Sequence, residues 1–328
     1  MMDPISAQSR RVALVLAACL AAEPAAADGV RVAVQQTGTL AWEFDVVRAH
    51  GLDRDANLKI AAVGLASPEA GKIALHGGSA DIIVSDWLWV TRERNLGGKL
   101  VFYPYSSAIG AAMVPAASAI ARAADLKGKK LAVAGGALDK SWLLLQAALK
   151  QDGIDLKREA TIVYGAPTLL AEKTLQGEAD ATLNYWNICA ALEAKGFRRL
   201  IGMEDVLPRL GASGRAAMLG YVFDQGWAAK NAGTVERFLA VTHKAKEILA
   251  TSDAEWRRIA PLVGTSDSAT LKVYRDRYRE GIPRRPIDDE EADARALFGV
   301  LAAQGGANLV GGATVLSPGT FFRAGSGL

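Results

Sequence analysis

Cysteine is nearly absent. Cys19 and Cys189 are the only two in 328 residues. Two thiols cannot build the disulfide framework of a small secreted domain or a four-cysteine zinc site. Histidine is as scarce: His50, His76 and His243 lie far apart and share no metal-ligand spacing. No HExxH or GxSxG motif occurs, so neither a zinc-protease helix nor a nucleophile elbow is present. An excess of one charge is lacking too, with 38 Lys and Arg against 35 Asp and Glu and a net charge of +3. That balance excludes a nucleic-acid partner. The arginines between Tyr274 and Pro286 are interrupted by Asp276 and Glu280 and read as a solvated helix face. These absences predict no metal, no cofactor and no catalytic constellation; the chain is not expected to be an enzyme. What is plentiful is apolar: 50% hydrophobic against 22% charged residues, enough for a large packed core. The length suits two domains of roughly 100–200 residues each.

The first 27 residues read as an address. Arg10-Arg11 is followed by the apolar run Val12 to Ala22 and then by Ala25-Ala26-Ala27, the order of a signal peptide. The run is short of the ~20 apolar residues a membrane span needs. Cleavage after Ala27 releases an exported, periplasmic protein. Leu16-Ala17-Ala18-Cys19 resembles a lipoprotein box, and cleavage there leaves a lipid-anchored Cys19 instead.

From Asp28 the chain alternates. Strands are predicted at Val30–Val34, Leu58–Val63 and Asp81–Ser85. Between them lie a helix ending near His50 and another started by Ser67-Pro68. Residues 100–114 form one extended stretch. Alternation then resumes with strands at Leu131–Ala134, Thr161–Tyr164 and Asp180–Asn184. A second extended stretch, within 212–224, leads into helices at 231–251, 267–281 and 288–304. Strand–helix alternation argues for mostly parallel sheets flanked by helices. Two α/β lobes follow, joined by two hinge crossings: residues 28–107 with 221–328 as the first lobe, and 108–220 as the second. A cleft lies between them, and the lobes can hinge.

Three segments carry a family likeness. Gly78-Ser79-Ala80-Asp81-Ile82-Ile83-Val84-Ser85, Ala124-Asp125-Leu126-Lys127-Gly128-Lys129-Lys130-Leu131-Ala132-Val133 and Gly177-Glu178-Ala179-Asp180-Ala181 occur in this order. Together they resemble the periplasmic substrate-binding proteins of ABC importers, in the nitrate/sulfonate/taurine group that includes binders of thiamine-pyrimidine precursors. The resemblance covers about residues 30–250. It implies a type II periplasmic-binding-protein fold, a small-molecule solute, a membrane permease as partner, and a monomer. A ligand-reporting partner of a membrane sensor uses the same fold and remains an alternative. One relative in this family is an enzyme of pyrimidine synthesis, recognised by a Cys-rich motif that this chain lacks.

Ligands of parallel α/β sheets lie beyond the carboxyl ends of the strands. There the sequence places Gln36, Thr37 and Trp42; Asp86 and Trp87; Gly135, Gly136 and Asp139; Tyr164; and Asn184, Tyr185, Trp186 and Asn187. Five of the seven tryptophans (42, 87, 89, 142 and 186) fall at these ends. Two or three of them are expected to wall the cleft, with Trp87, Tyr185 and Trp186 foremost. The helix start after Gly135-Gly136 suits an acidic group. Asp86 disfavours an inorganic anion if it faces the cleft and favours an organic solute with donors; alternatively it caps the next helix. Nitrate or a sulfonate is the competing solute.

Overall fold

The computed structural model describes residues 28–35, 38–65 and 67–325. The export segment with Cys19, and Gln36 and Thr37, lie outside the described residues. The first lobe contains β1 (Asp28–Gln35), α1 (Leu40–Ala49), α2 (Leu52–Asp55), β2 (Leu58–Leu65), α3 (Pro68–His76), β3 (Ile83–Asp86), α4 (Trp87–Asn95) and β4 (Leu100–Ser106). The chain then crosses into β5 (Gly110–Pro115), β6 (Lys130–Ala134), α5 (Lys140–Gln151), α6 (Leu156–Glu159), β7 (Thr161–Gly165), α7 (Pro167–Leu175), β8 (Ala181–Tyr185), α8 (Trp186–Ala194), β9 (Phe197–Gly202) and α9 (Met203–Val206). It returns as β10 (Leu219–Asp224). The tail is α10 (Gln225–Lys230), α11 (Ala232–Thr251), α12 (Asp253–Val263), α13 (Ser268–Glu280), α14 (Ile287–Gly305) and α15 (Ala307–Val310).

The two sheets share one plan. In the first lobe β1 pairs with β2 in parallel, and a bridge between Val32 and Ile82 brings β3 to the other side of β1. β10 lies between β3 and β4 and is antiparallel to both. The second sheet runs β7-β6-β8-β5-β9, with β5 antiparallel to its neighbours β8 and β9. The parallel strands are those linked by crossover helices. In each lobe the antiparallel strand is the one that arrives from the other lobe, so its direction is set by the crossing. β5, β6 and β8 are buried along nearly their whole length, as strands covered on both faces must be.

Local chemistry sets the helix starts. Ser67 accepts from the Ala70 N–H and Pro68 opens α3. Asp86, Asp139 and Asp224 cap α4, α5 and α10 in the same way. The tail departs from the sequence reading, which placed all of 221–328 on the first lobe. α11 and α12 do pack on α1, but α13 lies against α8 and α14 against α5. Leu297, Phe298 and Leu301 of α14 share a core with Leu145 and Leu149 of α5, and Arg277 of α13 pairs with Glu193 of α8 at 2.8 Å. The apolar stripe of α14 finds its cover on the second lobe, so the tail spans the side of the molecule where the crossings run. Among the described residues no helix is long and apolar enough to cross a membrane.

Candidate functional site

The carboxyl ends of β1 and β2, the first residues of β3 and the starts of α1 and α3 surround a cavity of about 130 Å³. Its walls are apolar: Ala33, Val34, Leu40, Leu65, Ile83, Val84 and Leu219. Thr39, Ser67, Gln35 and Tyr105 add polar atoms, and among the described residues no charged side chain lines it. Gly38 and Gly71 leave room where a larger residue would intrude; a Cβ on Gly71 would meet only Ile83, at 4.0 Å. The starts of α1 and α3 line this space. The Ala70 amide is taken by Ser67 and the Ala41 and Trp42 amides by the Gly38 and Thr39 carbonyls, so what these starts offer an anionic group is chiefly the positive end of each helix dipole. The sequence expectation also looked to strand ends, but none of the site residues it singled out is among these lining residues. The available signal was Gly38-Thr39 before α1 and Ser67-Pro68 before α3, two helix starts each following a strand.

Behind Thr39 and Tyr105 lies a much smaller cavity of about 10 Å³, reaching Glu43, Ser106, Trp186, Lys246 and Tyr278. Glu43 is fully buried. Its carboxylate takes the Lys246 ammonium at 2.5 Å and the hydroxyls of Tyr278 at 2.7 Å and Tyr221 at 3.4 Å. Lys246 also sits 4.0 Å above the Tyr105 ring, a cation–π contact. Burial first, then the Glu43 charge, pushes the Tyr105, Tyr221 and Tyr278 phenols well up. They remain protonated donors. Burial lowers the Lys246 amine, with Glu43 opposing that shift. This cluster pins α1, α11 and α13 to β4 and β10, the two first-lobe strands that adjoin the crossings.

The second lobe presents the loop after β6 and the end of β8. Gly135 and Gly136 have φ of +83° and +104°. A Cβ on Gly135 would lie 2.4 Å from the Tyr185 hydroxyl, so glycine is required by both conformation and space. Burial, then the Asp139 charge, pushes Tyr185 up to about 12. Leu138, Tyr164, Leu169 and Tyr185 are all 37% or more exposed and give this lobe an apolar rim.

The structure sorts the expected site residues. Trp87 is fully buried in the core, as are Trp142 and nearly all of Trp42 and Trp89; Trp87 therefore does not wall a cleft. A first-turn aromatic points back over the preceding turn, and here that direction is the core. Trp42 packs edge-on against Trp186, Trp256 and Tyr274. Trp186 is half-buried and reaches the small cavity. Asn184 is buried and occupied internally, donating to the Pro167 carbonyl and accepting from the Tyr185 N–H. Asn187, Tyr164 and Tyr185 retain exposure. Asp139 caps α5. Asp86 caps α4, with Trp89 N–H at 2.9 Å, and binds Lys140 at 2.8 Å. Its carboxylate is engaged by protein on both sides. Cys189 is buried; desolvation pushes its thiol up to about 12, so it stays an unreactive thiol. Among the described residues no three His, Cys, Asp or Glu gather to hold a metal ion.

Two α/β lobes, two crossings and a cavity at the strand ends define a two-lobe periplasmic-binding-protein fold. Residues 48–255 match the family described as NMT1/THI5 like, and the chain belongs to that family. Similar structures include the alkanesulfonate-binding protein SsuA of Xanthomonas axonopodis pv. citri bound to MOPS. It has a TM-score of 0.68 and 22% identity over 93% of this chain and 100% of its own. The periplasmic aliphatic sulphonate binding protein SsuA of Escherichia coli gives 0.68 and 22%, over 88% and 95%. An ABC transporter structure from Parabacteroides distasonis gives 0.68 and 14%, over 90% and 98%. No curated protein matches the sequence.

Proposed function

We infer that this protein is the extracytoplasmic solute-binding component of an ABC importer. It captures a small organic anion in the 130 Å³ cavity and delivers it to a membrane permease. The observation that carries this reading is the cavity's lining: apolar walls, no charged side chain among the described residues, and the starts of α1 and α3 at one end. An acid group sits against the helix starts, where the helix dipole favours it. The apolar body packs on Leu40, Leu65, Ile83 and Leu219. The sulfonate binding named for the two SsuA proteins supports this class of solute. The earlier expectation of a donor-bearing solute held by Asp86 loses its main acceptor, because Lys140 and the Trp89 amide already occupy that carboxylate. Closure of the second lobe brings its apolar rim over the bound solute. The protein acts by binding alone, as an exported monomer.

A thermal-shift and calorimetry panel of alkanesulfonates, small carboxylates, nitrate, pyrimidines and amines tests the reading. A true solute at 100 times its Kd adds about 2.7 kcal/mol of stability. Gly71→Leu fills the cavity and is expected to abolish that shift while leaving the fold intact. If amines alone bind, or Gly71→Leu binds as well as the parent, the anion reading fails.

A further inference from the structure

Besides the Arg277–Glu193 pair that ties the tail helix α13 to α8, one charge contact joins the two sheets' own segments directly. Among the described residues, Asp86–Lys140 is the ion pair that joins the first lobe's 28–107 to the second lobe's 110–202. Asp86 ends β3, and Lys140 is the first residue of α5. Their side chains are 10% and 33% exposed, so the pair is largely shielded from solvent and salt.

Both positions are informative. A cation in the first turn of a helix opposes the helix dipole, so Lys140 gains nothing from α5 itself. What holds it is acidic: Asp86 first, with Asp139 beside it. Asp86 already satisfies α4 through one oxygen, Oδ1 to the Trp89 N–H, and offers the other, Oδ2, to Lys140. The two groups therefore neutralise each other across the gap. Asp86 also faces Leu219, the first residue of β10 and a wall of the cavity. The pair thus stands beside the solute space, one strand in from the second crossing, and it bridges two lobes.

We propose that Asp86 and Lys140 are positioning residues that set the closed angle of the two lobes, and that this pair drives closure before any solute arrives. The second lobe's cation is consumed by the protein's own acid, so closure does not depend on the solute's charge. Solute-free protein populates a closed form, and the solute is held by the cavity rather than by Lys140.

Distance measurement between spin labels at Lys59 and Lys157, both exposed and one in each lobe, tests this on the full protein without solute. Asp86→Asn removes the charge but keeps a good cap for α4. Lys140→Met removes the partner from the other lobe. Each is expected to shift the closed-to-open ratio roughly ten-fold toward open, within the usual range of such couplings. The distance distribution should lengthen and broaden, and the radius of gyration should rise. The double variant should open no further than either single, because one contact is lost in all three. Unchanged distances in both singles overturn the proposal, as does a double variant that opens by the sum of the two. These readouts use no solute, so they stand or fall independently of the solute panel.

Discussion

The Glu43–Lys246 pair allows the sharpest test of how the core is held. Glu43→Gln removes a charge that is fully buried and leaves Lys246, 9% exposed at its side chain, without a counter-ion. Breaking a buried pair from one side costs about 3–5 kcal/mol. At about 2–4 °C per kcal/mol for a domain of this size class, the midpoint should fall by roughly 10 °C. Lys246→Met should cost less, because Tyr278 and Tyr221 still donate to the carboxylate. The double variant Glu43→Gln/Lys246→Met should recover most of the loss, since no uncompensated charge remains. Burial already lowers the Lys246 amine, and Glu43 opposes that shift. In Glu43→Gln the folded-state amine therefore falls further below its unfolded value. The unfolded chain then binds more protons, so the variant should gain stability as pH rises from neutral toward about 10. Urea unfolding at pH 7 and 9, followed by tryptophan fluorescence, measures both effects. If the double variant is as unstable as the two singles added together, the pair is not the unit described here.

Other outcomes follow from single contacts. Gly135→Ala should cost about 1–3 kcal/mol in denaturant unfolding, because φ is +83° and the new Cβ meets Tyr185 and Asp139. Gly71→Ala lies in a helix with space around it and should raise stability by up to about 1 kcal/mol. Trp87→Phe should leave solute affinity within about two-fold, measured by calorimetry, since Trp87 lies in the core. Lobe closure should also respond to acid. Burial alone would raise the Asp86 carboxyl, but Lys140, the Trp89 amide and Lys72 outweigh it and hold it below the usual carboxylate range. The contact is therefore complete above that range and lost as pH falls through the depressed value. The label distance should stay constant from pH 7 to about 4, the unperturbed Asp value, and lengthen only below it. Asp139 and Tyr185 flank Lys140, and the Asp86→Asn and Lys140→Met variants, both without the contact, should lack this acid response.

Much of the fold was legible because its signals are local. Alternating apolar runs, the Ser67-Pro68 start and the extended stretches at 100–114 and 212–224 each depend on a few neighbouring residues, and the strands and helices form where those signals sit. β9 and α12 escaped the reading. Phe197-Arg198-Arg199-Leu200-Ile201 carries two adjacent arginines, and Pro261 sits inside α12, so local preference and tertiary packing disagree there. The family likeness was also legible, since its motifs are contiguous.

The site was legible only to the level of a sheet end. A residue that follows a strand can cap the next helix, fold back into the core or face the ligand, and chain position does not separate these. Asp86 and Asp139 became caps, Trp87 and Trp142 went into the core, and the cavity formed instead around Thr39, Ser67 and Leu219. Glu43 meets Lys246 across 203 residues, and Asp86 meets Lys140 from another lobe. Such pairings depend on how whole elements dock, because charge and ring contacts act over a few ångströms in space and carry no period along the chain.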